Sequence, residues 1–167
     1  NNSILKGGSI PMLPFPHCDV EKRYKERRTC KAKKRGGHFM KYYFSKTLSI
    51  PFDDAVVKVT EELKKEGFGI LTEIDVKETL KKKLDVDFKK YKILGACNPP
   101  FAYRALQNED KIGTMLPCNV VAQEIENGQV EVAAVDPMAS MQAIENPDLG
   151  EIAKEVRAKL KAVVDNL

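Results

Sequence analysis

Residues 117–137 read PCNVVAQEIENGQVEVAAVDP and contain the strongest fold signal in the chain. Two β-prone runs flank Asn127-Gly128, a dipeptide typical of the tight turn of a β-hairpin. If the turn has two residues, the register places Val120 opposite Val135. The segment therefore predicts two adjacent antiparallel strands late in the chain.

This register also predicts which face of the hairpin is buried. Glu124 would lie opposite Glu131, and two opposed carboxylates are costly unless they face water. The other face is therefore predicted to pack on the core. Its residues are Val121, Ile125, Val130, Val132 and Ala134.

Strand-like and helix-like segments alternate on both sides of the hairpin. Strands are predicted near residues 41–48, 68–74 and 91–96, each followed by a helical pattern, and a long amphipathic helix follows Asn146. The order β-α-β-α-β-α-β-β-α predicts an α+β fold in two layers. A late hairpin favours a mixed or largely antiparallel sheet with helices packed on one face.

The second predicted helix combines a start signal with an apolar stripe. Asp75 followed three residues later by Glu78 forms a capping box, and Val76, Leu80 and Leu84 recur at helical spacing. We expect this stripe to be buried. The basic run at residues 81–83 is interpreted as a solvated face, because consecutive residues point in different directions around a helix.

The net charge of +4 comes entirely from a leader. Residues 1–39 carry ten Lys and Arg against three acids, a charge of +7, so the remainder carries −3. The leader lacks helix or strand periodicity and is predicted to be a disordered basic arm, whereas residues 40–167 are predicted to form a single domain. The acidic domain gives no reason to expect nucleic acid.

The end of the leader bears on where the natural chain starts. Arg35-Gly36-Gly37 is what a purine-rich ribosome-binding sequence would encode, and Met40 follows closely. We therefore expect Met40 to be the natural start and the leader to be a tag or translated upstream sequence. No apolar run is long enough for a secretory signal or a membrane span, so we expect a cytoplasmic protein without membrane association.

The predicted domain lacks several common kinds of catalytic site. Both histidines, His17 and His38, lie in the leader, which excludes Ser-His-Asp and Cys-His pairs and histidine metal sites from the domain. The Gly67-Phe68-Gly69 segment enters a strand instead of opening a helix, so it is not a dinucleotide-binding loop. We assign no catalytic or metal-ligating residue and leave the cofactor open.

Two similar corners, GACNPP at 95–100 and LPCN at 116–119, carry the candidate thiols Cys97 and Cys118. Pro99 suits the first helical position and Asn98 its N-cap, which would place the Cys97 thiol at the positive end of a helix and lower its pKa. The two thiols are candidates for a reactive pair.

Two alternatives for these thiols stay open. With Met115 they would form a copper(I) site, since soft ligands select that ion. Otherwise Cys97 and Cys118 are small buried side chains without chemistry. Arg104 is a further candidate, either paired with Asp136 or bound to a ligand carboxylate, and its alternative is an exposed surface arginine.

Four motifs in this order resemble one known family. They are GFGILTEIDV at 67–76, LGACNPP at 94–100, LPCNVV at 116–121 and the dipeptide Asp136-Pro137. Over about residues 41–141 the chain closely resembles the prokaryotic family called domain of unknown function 302. The resemblance implies a compact α+β domain that forms a homodimer. It implies no established reaction, cofactor or catalytic residue.

Three functions are consistent with these observations. The first is a homodimeric module that binds or senses a small ligand, the second a thiol-dependent redox or copper-handling protein using Cys97 and Cys118, and the third a structural interaction domain. The candidate ligand-binding residues are Cys97, Asn98, Arg104, Cys118, Asn119 and Asp136.

Overall fold

The computed structural model describes residues 41–142 and 144–167, so the predicted leader and the predicted start at Met40 lie outside the described residues. Five strands are present: β1 (Tyr43–Leu48), β2 (Gly69–Asp75), β3 (Tyr91–Cys97), β4 (Cys118–Glu124) and β5 (Val130–Val135). The helices are α1 (Phe52–Lys65), α2 (Val76–Leu84), α3 (Pro99–Asn108), α4 (Pro137–Ser140) and α5 (Pro147–Asp165). Two 3₁₀ helices cover Asp110–Met115 and Glu126–Gly128.

The strands form one sheet in the order β1-β5-β4-β3-β2, and every neighbouring pair is antiparallel. The α+β prediction is therefore confirmed, and so is the predicted order of elements, with the short helix α4 added after β5. Strands β1 and β2 are the two edges. Each therefore has one side without a neighbouring strand among the described residues.

The predicted register of the β4–β5 hairpin is wrong by one residue. Val120 pairs with Ala134, not Val135, because five residues connect the strands instead of two. The Ile125 N–H donates to the Gln129 carbonyl at 2.8 Å, and the Asn127-Gly128 pair lies inside this wider loop with positive φ at both residues. The dipeptide marks the turn correctly but does not set its length.

A slip of one residue exchanges the two faces of β4. Val120 and Ala122 are buried, whereas Val121, predicted to be in the core, points to the opposite face and is half-buried. On β5 the predicted core residues Val130, Val132 and Ala134 are all buried. Glu131 lies opposite Gln123, not Glu124, and accepts a hydrogen bond from its side-chain amide at 2.6 Å.

The core lies between the sheet and two long helices, α1 and α5. All seven residues predicted for the stripe of the last helix are buried: Leu149, Ile152, Ala153, Val156, Leu160, Val163 and Val164. Leu63 of α1 and Leu160 of α5 have no exposed surface. Burial of each such side chain stabilises the fold by about 1.5–3 kcal/mol.

Helix α2 contradicts the prediction of a buried stripe. The predicted cap is present, since the Asp75 carboxylate accepts a hydrogen bond from the Glu78 N–H at 2.9 Å. However, no residue of α2 is buried, and Leu84 is 66% exposed. The reason is position, because the main contacts of α2 are with β3 and the edge strand β2, and it has no extensive contact with another described helix.

The outward face of the sheet is poor in charge. Side chains of a strand alternate between faces, and the register places these residues on that face: Tyr43, Tyr91, Ile93, Asn119, Val121, Gln123, Glu131, Ala133 and Val135. Glu131 is the one charged strand residue among them, and the Lys89 ammonium reaches the same face, where it donates to Gln123 at 2.6 Å. Ile93, Val121 and Val135 are only half-buried.

Gly95 of β3 occupies a position that admits no side chain. A Cβ atom there would collide with the Thr72 hydroxyl and would lie 2.8 Å from Cγ of Pro117, which follows a cis peptide bond. Strand β3 can therefore lie this close to Thr72 and Pro117 only with glycine at position 95.

We predict that Gly95→Ala lowers the free energy of unfolding by about 1–3 kcal/mol, because the added methyl group overpacks this contact. Urea denaturation measures the change. Gly69→Ala is the control, since a Cβ atom there meets nothing within 4 Å. Adding Thr72→Ala to Gly95→Ala should restore part of the loss, and equal stability of the Gly95→Ala and Gly69→Ala variants would contradict the prediction.

Candidate functional site

The structure brings Cys97 and Cys118 to one small cavity. Cys118 pairs with Ala96 in the β3–β4 register, so its neighbour on the adjacent strand directly precedes Cys97. Both thiols line an apolar cavity of about 30 Å³ together with Phe101 and Met141. Both are free thiols. This volume is far below the about 300–1,000 Å³ of pockets that bind small molecules.

The environment of the thiols does not activate them. Burial raises the pKa of Cys97, which corrects the predicted lowering at a helix start. Burial and the nearby Cys97 raise the pKa of Cys118 to about 11. Desolvation penalises the thiolate, so both groups are protonated at neutral pH.

The methionine predicted for a copper site is not at this cavity. Met115 lies in the 3₁₀ helix, is 39% exposed and does not line the cavity, whereas Met141 does. Within residues 41–142 and 144–167, no cluster of three or more His, Cys, Asp and Glu is arranged to hold a metal ion.

The Asn98 side chain connects two helices. Its side chain is buried, and its amide donates to the Glu66 carbonyl at 3.2 Å, joining the end of α1 to the start of α3. Residue 67 is a glycine with φ +84°, and a Cβ atom there would lie 3.1 Å from Nδ2 of Asn98. The predicted side-chain cap on α3 is absent, and Pro100 at the second position of the helix has no N–H that could donate to one.

Asn119 is not part of the cavity. It is exposed and pairs with Gly95, which places it on the outward face of the sheet, while Cys118 is buried on the inward face. Alternation along β4 thus separates two adjacent predicted site residues.

Asp136 is buried and fully engaged by the protein. Its carboxylate accepts a hydrogen bond from the Met138 N–H at 3.0 Å, and Nε of Arg157 contacts both carboxylate oxygens at 3.1 and 2.9 Å. The Arg157 guanidinium also lies 5.3 Å from the centre of the Phe44 ring. These contacts join β1, α4 and α5.

The predicted Arg104–Asp136 pair is therefore wrong. Arg104 instead contacts Glu155 at 3.2 Å, and both side chains are about half exposed. Its guanidinium lies 5.6 Å from the centre of the Phe101 ring. Arg104 is the surface arginine that the alternative interpretation described.

A much larger cleft of about 520 Å³ lies at the other end of the sheet, between the start of α1 and helix α2. Residues from α1, the end of β2, α2, the following loop and β3 line it: Phe52, Asp53, Asp75, Lys77, Glu78, Lys81, Lys82, Val86, Asp87, Phe88, Lys90 and Lys92. Pockets that bind small molecules have volumes of about 300–1,000 Å³. The cleft is thus large enough for a ligand.

This cleft was not predicted from the sequence, although one signal for it is present. Lys81 and Lys82 from the basic run line it, together with Lys77 one turn earlier, whereas Lys83 does not. The run is therefore divided between a cleft wall and solvent. Lys90 directly precedes β3 and Lys92 lies near its start. Only the tertiary structure brings these two lysines to the same cleft as α2.

Comparison with known proteins gives a family and a fold relative. The family model described as "Domain of unknown function DUF302" matches residues 44–167. The solved structure of an uncharacterized conserved DUF302 protein from Bacillus stearothermophilus is similar, with a TM-score of 0.70 and 31% identity. The match covers 75% of this chain and 98% of that chain. No curated protein matches.

The described helices include none that is both long enough and apolar enough to cross a membrane.

We predict that both thiols react slowly with iodoacetamide at pH 7 and faster as the pH rises above 9, because only the thiolate attacks and burial disfavours it. Cys118 should be the slower, with its rate still rising toward pH 11. Peptide mass spectrometry in a Cys18→Ser/Cys30→Ser background measures each rate. Rapid alkylation of Cys97 below pH 7 would show a stabilised thiolate and contradict the prediction.

Proposed function

The chain belongs to the family of domain of unknown function DUF302, and we propose that it is a homodimeric module that binds a small molecule in the cleft between α1 and α2. The observation that carries this proposal is the size and lining of the cleft. It combines about 520 Å³ of space with charged side chains and the apolar groups of Phe52, Val86 and Phe88. Apolar walls with a few polar groups are typical of ligand sites.

The residues first considered for a ligand do not offer a comparable site. The Asn98 amide group and the Asp136 carboxylate already form hydrogen bonds within the scaffold, and the cavity beside the thiols has about 30 Å³. A ligand that displaced these contacts would leave buried polar groups without partners, which costs about 1–3 kcal/mol for each group. The cleft requires no such loss.

A thiol-dependent function is the second candidate. Its support is that Cys97, Cys118 and Met141, three soft ligands, line one cavity. The raised pKa values of both thiols count against nucleophilic chemistry at neutral pH. The alkylation rates above therefore separate this candidate from ligand binding in the cleft.

The outward face of the sheet supports the homodimer. A sheet face that meets water is normally lined by polar side chains, yet Ile93, Val121, Ala133 and Val135 occupy the centre of this one. A second copy presents the same apolar centre, with the charges of Lys89 and Glu131 confined to the neighbourhood of Gln123, so two sheets can pack face to face about a twofold axis. Few like charges would meet in that arrangement.

To test binding, we would titrate the ¹⁵N-labelled full chain with benzyl alcohol, phenyl phosphate and benzamidine, which are neutral, anionic and cationic. We expect at least one probe to shift the backbone amides of residues 77–82 and 88–92 in a saturable way, because these segments line the cleft. Val86→Trp should abolish the shifts by filling the cleft. Val57→Trp is the control, since Val57 is similarly exposed and lies outside the cleft.

The binding proposal is contradicted if no probe shifts cleft amides, or if the Val86→Trp variant binds as the natural chain does.

We further expect the chain to elute with twice the mass of one copy in light scattering, and Val121→Lys to elute with the mass of one. A lysine at the centre of the outward face would place a desolvated charge in the interface. Val57→Lys on α1 is the matched control and should stay dimeric. A monomeric natural chain, or a dimeric Val121→Lys variant that is folded by circular dichroism, would disprove this interface.

A further inference from the structure

We propose that the ligand of the cleft between α1 and α2 is an anion with an apolar body, such as an aryl or alkyl phosphate or carboxylate. This inference rests on the proposed binding function and adds the chemical class of the ligand. It is carried by three observations on the cleft walls, which concern its lysines, its carboxylates and its apolar floor.

The lysines of the cleft fall into two groups. Lys81 is held by Asp85 at 2.8 Å and Asp87 at 3.5 Å, and Lys92 is paired with Glu73. Carboxylates of the described residues do not pair with Lys77, Lys82 or Lys90. These three ammonium groups are therefore available to a negatively charged ligand.

The carboxylates of the cleft are less available to a ligand. The Asp75 carboxylate accepts the capping hydrogen bond from the Glu78 N–H, and Asp87 contacts Lys81. The lining as a whole has five lysines against four acids. Because Asp53 and Glu78 still contribute negative charge, the balance favours a ligand with one anionic group over a polyanion such as nucleic acid.

The apolar floor accounts for the body of the ligand. Phe88 is half-buried, with its ring centre 6.1 Å from that of Tyr91, and Val86 is 44% exposed. Phe52 is buried beneath them, and the Lys90 ammonium lies 5.8 Å from its ring centre. The cleft therefore offers an apolar surface and unpaired ammonium groups within one lining.

The test compares dissociation constants for phenyl phosphate, benzoate, inorganic phosphate and benzyl alcohol, measured by NMR titration of the full chain. We expect the two aryl anions to bind at least fivefold more tightly than benzyl alcohol and inorganic phosphate. The affinity of the anionic probes should fall as salt is raised from 50 to 500 mM, whereas that of benzyl alcohol should not, since screening acts on charge. Phenyl phosphate against benzoate distinguishes a phosphate ligand from a carboxylate ligand.

Lysine variants locate the anionic group. Lys77→Ala and Lys82→Ala should each weaken phenyl phosphate binding about two- to fivefold, the range of exposed ion pairs, and should leave benzyl alcohol binding unchanged. Lys83→Ala is the matched control, because Lys83 is exposed on the same helix and does not line the cleft. It should bind phenyl phosphate as the natural chain does.

The possible failures are distinguishable. If benzyl alcohol or benzamidine binds the cleft as tightly as phenyl phosphate, the anionic class is wrong and the proposed binding function stands. If Lys83→Ala weakens binding as much as Lys82→Ala, the attraction is to the whole helix and the proposed site is wrong. If no probe binds the cleft, both this inference and the proposed function fail.

Discussion

The inward face of strands β3, β4 and β5 carries small and branched side chains, and helices α1 and α5 lie directly on it. Leu94, Val120 and Val132 are at most 1% exposed, and alanines at 96, 122 and 134 separate them. Small residues at alternate positions let both helices approach the sheet closely. The close fit requires one hydrogen-bond register, because a slip of one residue would turn these side chains outward.

Polar side chains near this core are used to join elements. Asn98 connects the end of α1 to the β3–α3 corner, and Asp136 connects α4 to α5 through Arg157. Asn98 and Asp136 thereby obtain the hydrogen-bond partners that buried polar groups require. Hence the most unusual polar residues of the family motifs have structural roles, while the largest cleft is lined by ordinary lysines and carboxylates.

Much of this fold was predictable from periodicity. The stripe of α5 and the cap at Asp75 depend on local spacing, and both are observed. The wrong predictions concern features that depend on tertiary structure and not on local spacing. The Asn127-Gly128 signal does not reveal that the loop has five residues, and the Leu84 stripe does not reveal that its helix sits over an edge strand. Likewise, helix-start geometry at Cys97 does not reveal how strongly burial opposes ionisation.

Helix α2 has a consequence for motion. It contains no buried residue, so its detachment from the sheet would expose little new apolar surface and needs far less free energy than global unfolding. The opposite wall, at the start of α1, is anchored by the buried Phe52 and Ala55. One wall of the cleft is thus rigid and the other is locally labile. A ligand that contacts both walls would therefore slow amide hydrogen exchange in α2 more than in the core.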